Sequence, residues 1–265
     1  MKIVVCVKQV PDTTEIKIDP VTNTLIRAGV PSIVNPYDAY ALETAIRLKE
    51  RYGAEVLVIS MGPDQARAAL RECLSIGADR AWLISDRAFG GSDTLATSFV
   101  LSEAVSWLDK EVGGIDLVLC GKQAIDGDTA QVGPEMAEHL DLPQITYASD
   151  VELAEGAVLV KRENDDGYDV IRAKLPAVVT VTKISGDTRL PSIKGRMRAS
   201  KAEIPVITAE MLGIDTGRCG LKGSPTKVKK TFTPVRTKQG IKEEGKTAPE
   251  FAAGLAGFLD EKKLV

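Results

Sequence analysis

Up to Pro143 the chain alternates short, nearly continuous apolar runs with longer stretches whose apolar residues recur every three to four positions. The runs are Ile3–Val7, Glu55–Ser60, Arg80–Ile84 and Ile115–Cys120. A strand that is apolar on both sides of its pleat has both faces covered, as in a parallel sheet flanked by helices. Between the runs lie helical patterns. Ala41, Leu42, Ala45, Ile46 and Leu48 make an apolar face within Tyr37–Tyr52, and Ala66, Ala69, Leu70 and Cys73 do so within Gln65–Ser75. Leu101, Val105, Leu108 and Val112 recur along the third stretch, Asp93–Glu111, with Ser92 as its expected N-cap. The order β-α-β-α-β-α-β forces right-handed crossovers and predicts an open, doubly wound α/β domain with a parallel sheet.

Beyond Pro143 the texture changes. Val151–Val160, Tyr168–Ala173 and Ala177–Lys183 read as strands, with Arg162–Gly167 as a hairpin turn, so a small β-hairpin addition is expected on the parallel sheet. Thr188–Lys201 is basic and contains no acid, and reads as a loop. From Thr208 the chain reads as irregular and glycine-rich, and Ala248–Leu259 as one amphipathic helix. The expected division is a compact domain over residues 1–205 and an extended C-terminal arm over 206–265. Leu255, Phe258 and Leu259 of the arm must be buried, either on a partner subunit or back on the domain itself.

Composition removes several function classes. The 265 residues carry 34 basic against 37 acidic side chains, a net charge of −3, which argues against a basic nucleic-acid surface and against a disordered acidic chain. Aromatic residues are 5%, too few for an evident base-stacking platform. The cysteines (Cys6, Cys73, Cys120 and Cys219) form no CxxC pair, and His139 is the only histidine, so a clustered zinc or iron–sulfur site is not expected. His139 reads as a cap or surface residue and the cysteines as small apolar packing groups. MKIVVCVKQV lacks the features of a signal or transit peptide, and no apolar run approaches the length of a membrane span. A cytoplasmic protein with reduced thiols, no membrane insertion and no nucleic-acid partner is the expectation. Without a Ser/His/Asp set or a metal triad, any chemistry must come from a bound cofactor.

In a doubly wound sheet, ligands bind beyond the carboxyl ends of the strands. The loop after the fourth run, GKQAIDGDTAQVG over Gly121–Gly133, has glycines for tight turns and an Asp128/Gln131 spacing that resembles a capping box. It is either a phosphate cradle at a helix start or an ordinary capped turn. The loop after the third run, SDRAFGGSDTLAT over Ser85–Thr97, offers Arg87 and the hydroxyls of Thr94 and Thr97, which suit a heteroaromatic ring or a solvated surface equally. Asn35-Pro36-Tyr37-Asp38 and Met61-Gly62-Pro63 either close over an adenine or are simple turns.

With those loops in view, the chain resembles the β subunit of electron-transfer flavoproteins over nearly its whole length. The carriers are VVCVKQVPDT, NPYDAYALETAIRLKE, VISMGP, GADRA, GKQAIDGDTAQVGPEMAEHL and LPSIKGRMRASK. The resemblance implies an αβ heterodimer whose β subunit is an adenine-nucleotide-binding domain with a C-terminal arm embracing α. In ordinary members β holds AMP structurally and the redox FAD lies mainly in α. It implies nucleotide contacts at Cys6, Asn35, Pro36, Tyr37, Asp38 and Met61, and at Ala124, Ile125, Asp126, Gly127, Asp128, Thr129, Ala130, Gln131, Val132 and Gly133. It also implies a partner-recognition loop at 188–201, with Leu190 anchoring in an acyl-CoA dehydrogenase and Pro191, Ile193 and Met197 beside it.

A second group in the family holds FAD in β and bifurcates electrons, and SDRAFGGSDTLATS looks like that group's loop. This implies Arg87, Thr94 and Thr97 against an isoalloxazine, with Arg87 tuning it. The expected function follows from that likeness. In an anaerobe, the β-subunit FAD takes a hydride from NADH, sends one electron to ferredoxin or flavodoxin, and sends the other through the α-subunit FAD to an acyl-CoA dehydrogenase. Two alternatives stand beside it: an AMP-binding, non-bifurcating β subunit with a structural role, and a stand-alone adenine-nucleotide-binding stress-type protein.

Overall fold

The strand-forming runs pair as their burial requires. A computed structural model describes residues 1–12, 31–229, 240, 242 and 244–265. Thr13 of the first motif and arm residues 230–239, 241 and 243 lie outside the described residues. The chain runs β1 (Lys2–Cys6), β2 (Gln9–Pro11), β3 (Ser32–Val34), α1 (Pro36–Tyr52), β4 (Glu55–Met61), α2 (Arg67–Ile76) and β5 (Arg80–Ile84). It continues through α3 (Thr94–Val112), β6 (Leu117–Gly121), α4 (Val132–Leu140), β7 (Gln144–Ala154), β8 (Ala157–Asn164), β9 (Gly167–Lys174) and β10 (Ala177–Val181). The last elements are α5 (Ile193–Lys201), β11 (Val206–Ile207), α6 (Ala209–Leu212), α7 (Gly220–Gly223) and α8 (Ala248–Glu261).

The main sheet has the order β11-β5-β4-β1-β6-β10-β7-β8-β9, while β2 and β3 form a separate antiparallel pair. From β11 to β7 every pairing is parallel; β8 and β9 are added antiparallel. The pleat sorts the core into two layers. Ile3 and Val5 of β1 face α1, α2 and α5 with Leu42, Ile46, Leu70 and Ala199. Val4 and Cys6 face α3, α4 and α6 with Phe99, Val100, Leu108, Met136 and Ala209. This is the doubly wound α/β fold, and the hairpin addition is β7–β9.

Several expectations on detail are corrected. The cap of α3 is Asp93, whose carboxylate accepts from Ala96 N, rather than Ser92, whose hydroxyl donates to Phe89 O at 2.8 Å. The expected strand Val151–Val160 is two strands, because the chain reverses between Ala154 and Ala157. The expected loop 188–201 is helical from Ile193, because Ser192 Oγ accepts from Gly195 N at 3.0 Å and caps it. The compact body extends to Lys229, so the boundary expected at residue 205 falls inside it. The reason is burial: Ile207 completes the sheet edge, while Cys219 and Ser224 of the glycine-rich segment are enclosed. That segment is also not irregular throughout, since it holds α6 and α7.

Residues 230–265 form a second unit. Within it α8 opens with a capping box in which Thr247 N donates to Glu250 Oε2 at 2.7 Å. Phe251, Leu255 and Phe258 recur on one stripe of that helix and are exposed. Among the described residues no helix is long and apolar enough to cross a membrane, and no cluster of metal-ligating side chains occurs.

Candidate functional site at the carboxyl edge of the sheet

The chain builds outward from β1 to β4 and β5, then returns to place β6 on the other side of β1. The carboxyl ends of β1 and β6 therefore flank the crevice at the change of direction, where doubly wound sheets take their ligands. Cys6 and Cys120 are in register there, both buried. A hydrogen bond with Cys120, burial and nearby charge push the Cys6 thiol well above its ordinary range, and Cys6 packs within the core.

Asn35, the residue before α1, organises the crevice and is 0% exposed. Its amide donates to Gln123 O at 2.8 Å and its oxygen accepts from Ile125 N at 3.1 Å, which pins the β6–α4 loop to the start of α1. Lys8 closes the same loop from β1's side, with Nζ 2.6 Å from Asp126 Oδ1. Two glycines allow the close packing. A Cβ at Gly121 would lie 2.6 Å from Asp38 N, and one at Gly133 would lie 2.5 Å from the Thr180 methyl.

Asp38 sits in the first turn of α1, buried, and its carboxylate accepts from Lys8 N at 2.7 Å. Burial raises its carboxyl to about 7, against the opposing pull of hydrogen bonds from Asn35, Lys8 and Gly121. An unfolded aspartate titrates near about 4. Between those values the native state holds a proton that the unfolded chain has lost, so stability falls as pH rises through this window and levels off above it. Denaturant melts are expected to show that decline, by up to about 1.4 kcal/mol per pH unit. Asp38→Asn is expected to remove it; an unchanged slope in the variant would assign the titration to another group.

The loop itself is a donor surface. Asp128 and Ala130 take left-handed backbone, with φ of 57° and 54°. The N–H groups of Thr129, Ala130, Gln131, Val132 and Gly133 find no acceptor among the described residues. Such a run of free amides at the positive end of a helix is an anion nest. The expected Asp128/Gln131 capping box is absent. Asp128 instead accepts from the side chain of Gln123, and α4 starts at Val132 with no side-chain cap. The left-handed turns carry the chain past the capping geometry, which leaves the amides free.

The β5–α3 loop meets this nest. Arg87 sits in a short 3-10 turn capped by Asp86, exposed, with no partner for its guanidinium among the described residues. Thr94 opens α3, and its hydroxyl donates to Glu135 Oε1 at 3.2 Å and approaches Gln131 Oε1 at 3.4 Å. Glu135 Oε2 is buried without a partner, a polar atom that calls for one. Thr97 follows one turn on, its N–H bonded to Asp93 O at 3.0 Å. Met61 ends β4 beside this edge, half-buried, and Tyr37 meets Tyr40 edge-on with centroids 6.5 Å apart. Pro36 supplies the first residue of α1, where its missing N–H costs nothing.

The fold thus brings Cys6, Asn35–Asp38, Met61, Arg87, Thr94, Thr97 and the 124–133 loop to one edge. Leu190, Pro191, Ile193 and Met197 lie elsewhere, on and before α5. Here α5 packs on α2 through reciprocal capping: Arg198 Nη2 donates to Leu74 O at 2.9 Å, and Arg71 Nη1 to Ala199 O at 2.9 Å. Leu190 is 88%, Ile193 82% and Met197 61% exposed, an apolar surface among basic side chains. His139 is exposed in the last turn of α4, its ring 5.9 Å from that of Phe99. Sequence reading missed Lys8, Asp93 and Glu135. A carboxylate in the first turn of a helix was the one available signal for Glu135.

The electron transfer flavoprotein domain family matches residues 22–212. The chain is 52% identical over 244 residues to the electron transfer flavoprotein subunit beta of Megasphaera elsdenii, covering 91% of this chain and 90% of the relative. It is 48% identical over 266 residues to the caffeyl-CoA reductase-Etf complex subunit CarD of Acetobacterium woodii, covering 100% of each. It is 48% identical over 243 residues to the protein FixA of Sinorhizobium fredii, covering 90% of this chain and 85% of the relative.

Proposed function

Since the chain belongs to the electron transfer flavoprotein family as a β subunit, working in electron transfer with an α subunit, we propose that it holds FAD rather than AMP and serves a bifurcating complex. The observation that carries this reading is the Thr94–Glu135 hydrogen bond. It joins the Arg87 loop to the amide nest in one continuous edge, whereas a mononucleotide on the nest has no use for Arg87, Thr94 and Thr97. FAD held there would supply a two-electron acceptor for NADH and a source of single electrons for a low-potential carrier, ferredoxin or flavodoxin, and for the α-subunit flavin.

The chain's own residues do the rest. The free amides of Thr129 to Gly133 meet the phosphates, and Asn35 and Lys8 hold that loop in place. Arg87 brings a fixed positive charge to the ring, where it favours the electron-rich form. Thr94 and Thr97 offer hydroxyls to the ring edge, and Glu135 presents an acceptor with no partner of its own. The exposed stripe of α8 suits burial on the α subunit, and the Leu190–Met197 surface suits docking to a flavin-dependent dehydrogenase. One relative's name places it with a caffeyl-CoA reductase, which favours an acyl-CoA-type partner here.

The test is the nucleotide content of the purified heterodimer after denaturation. FAD in both subunits and no AMP is the expected result. One AMP for each FAD would overturn the bifurcating reading and leave an AMP-holding electron-transfer subunit. A chain that folds and stays monomeric without an α subunit would point to the stand-alone nucleotide-binding alternative.

A further inference from the structure

We infer that residues 209–226 form a latch that positions Arg87 and Thr94, with Asp93 as its catch; this rests on the reading that both residues face a flavin.

The loop from Ser85 to Asp93 is bonded both within itself and from outside. Inside it, Ala88 N donates to Asp86 Oδ1 at 2.9 Å, Phe89 N to Asp86 O at 3.1 Å, Gly90 N to Arg87 O at 3.3 Å, and Ser92 N and Oγ to Phe89 O at 3.4 and 2.8 Å. The later segment holds the loop at Asp86, Gly90, Ser92 and Asp93. Ala209 N donates to Asp86 Oδ2 at 3.1 Å, Leu221 N to Gly90 O at 3.2 Å, and Gly220 N to Ser92 Oγ at 3.1 Å. Asp93 N donates to Ser224 Oγ at 2.8 Å. The fit is close: Gly220 has φ +58°, and a Cβ there would lie 2.3 Å from Ala88 O. Both flanks of the turn that carries Arg87 are therefore set from outside it.

Asp93 divides its carboxylate between two tasks. Oδ1 caps α3 by accepting from Ala96 N at 3.1 Å, and Oδ2 accepts from Thr226 N at 3.0 Å. Thr94, the first residue of α3, follows directly. A shift of Thr226 unloads one oxygen of the group that fixes the turn bearing Thr94. The compact body ends at Lys229, three residues later by number, so a pull on the outgoing chain reaches Asp93 through Thr226. Gripping a cofactor loop from the root of a departing segment links the position of that segment to the grip on the cofactor.

The experiment uses the FAD-loaded heterodimer and follows FAD release on dilution by the return of free-flavin fluorescence. Arg87→Ala identifies the β-subunit phase as the one it accelerates. Asp93→Asn keeps the shape but cannot accept from both Ala96 N and Thr226 N. It is expected to accelerate the same phase about tenfold, the equivalent of one charge-assisted hydrogen bond. Ser224→Ala should act in the same direction. Asp109→Ala removes a comparable bond at the far end of α3, where Asp109 Oδ1 accepts from Ile115 N at 2.6 Å, and should leave the phase unchanged.

A latch acting through the Arg87 turn makes the double variant Arg87→Ala, Asp93→Asn no faster than the faster of the two singles. Additive acceleration, or an Asp93→Asn effect no larger than that of Asp109→Ala, would overturn the latch while leaving the flavin reading intact. AMP in the wild-type β subunit, or no phase responsive to Arg87→Ala, would overturn the flavin reading and the latch with it.

Discussion

Gly121→Ala is expected to empty the nucleotide site and to destabilise the body by about 3 kcal/mol, at the upper end of what overpacking costs. Gly121 ends β6 against the first turn of α1. An added Cβ would lie 2.3 Å from Asp38 Oδ1, 2.6 Å from Asp38 N and 2.6 Å from Tyr37 C. Two of those atoms are backbone and cannot swing away, so strand and helix must separate. That separation breaks the contact through which Asn35 and Asp38 shape the crevice, and retained nucleotide should fall with stability. Gly127→Ala is the control, because a Cβ there meets nothing within 4 Å. As a control on packing alone, it should keep the melting temperature. Thermal melts with nucleotide assays on the purified heterodimer decide the matter. A Gly121→Ala protein that melts like wild type and keeps its nucleotide would show that the strand–helix approach can relax.

Asn35→Ala is expected to cost about 3 kcal/mol, two net hydrogen bonds plus the penalty for a backbone group left dry. The amide is fully buried, and alanine removes both the donor to Gln123 O and the acceptor for Ile125 N. No neighbouring side chain replaces them, so the loop that carries the free amides loses its anchor to α1. Nucleotide release should accelerate more than global stability falls, because Asn35 acts on the loop itself. Asn35→Asp is the sharper variant. It keeps an acceptor for Ile125 N, but it adds a carboxylate in the first turns around Asp38, where burial already holds that carboxyl at about 7. Both variants should lose nucleotide. Retention by Asn35→Ala in equilibrium dialysis would show that Lys8 and its 2.6 Å pair with Asp126 hold the loop alone.

The architecture was legible because its signals are periodic. The runs Ile3–Val7, Val56–Ile59, Ala81–Ile84 and Leu117–Cys120 are apolar on both faces of the pleat, and only a sheet covered on both sides uses such strands. The helices between them fix the parallel direction and hence the edge at which ligands bind. Glycine-rich turns located the loops along that edge, and the spacing of Phe251, Leu255 and Phe258 marked the apolar stripe of α8, which is exposed here.

What the sequence left open depends on contacts between distant segments. Gly213–Thr226 has no periodicity, so nothing local marks it as part of the body; its place comes from Ile207 closing the sheet and from Gly220, Ser224 and Thr226 meeting the loop around Ser92 and Asp93. Asp93 displaces Ser92 as the cap of α3 because that same segment engages the Ser92 hydroxyl through Gly220 N. Glu135 became a site residue only when α3 and α4 packed together and set the Thr94 hydroxyl against it. Propensity and hydrophobic period act over neighbouring residues and so determine the elements and their order. Which polar atoms are left without partners is a property of the packed chain, and here, among the described residues, it is those atoms, the amides of Thr129 to Gly133 and one oxygen of Glu135, that mark the candidate site.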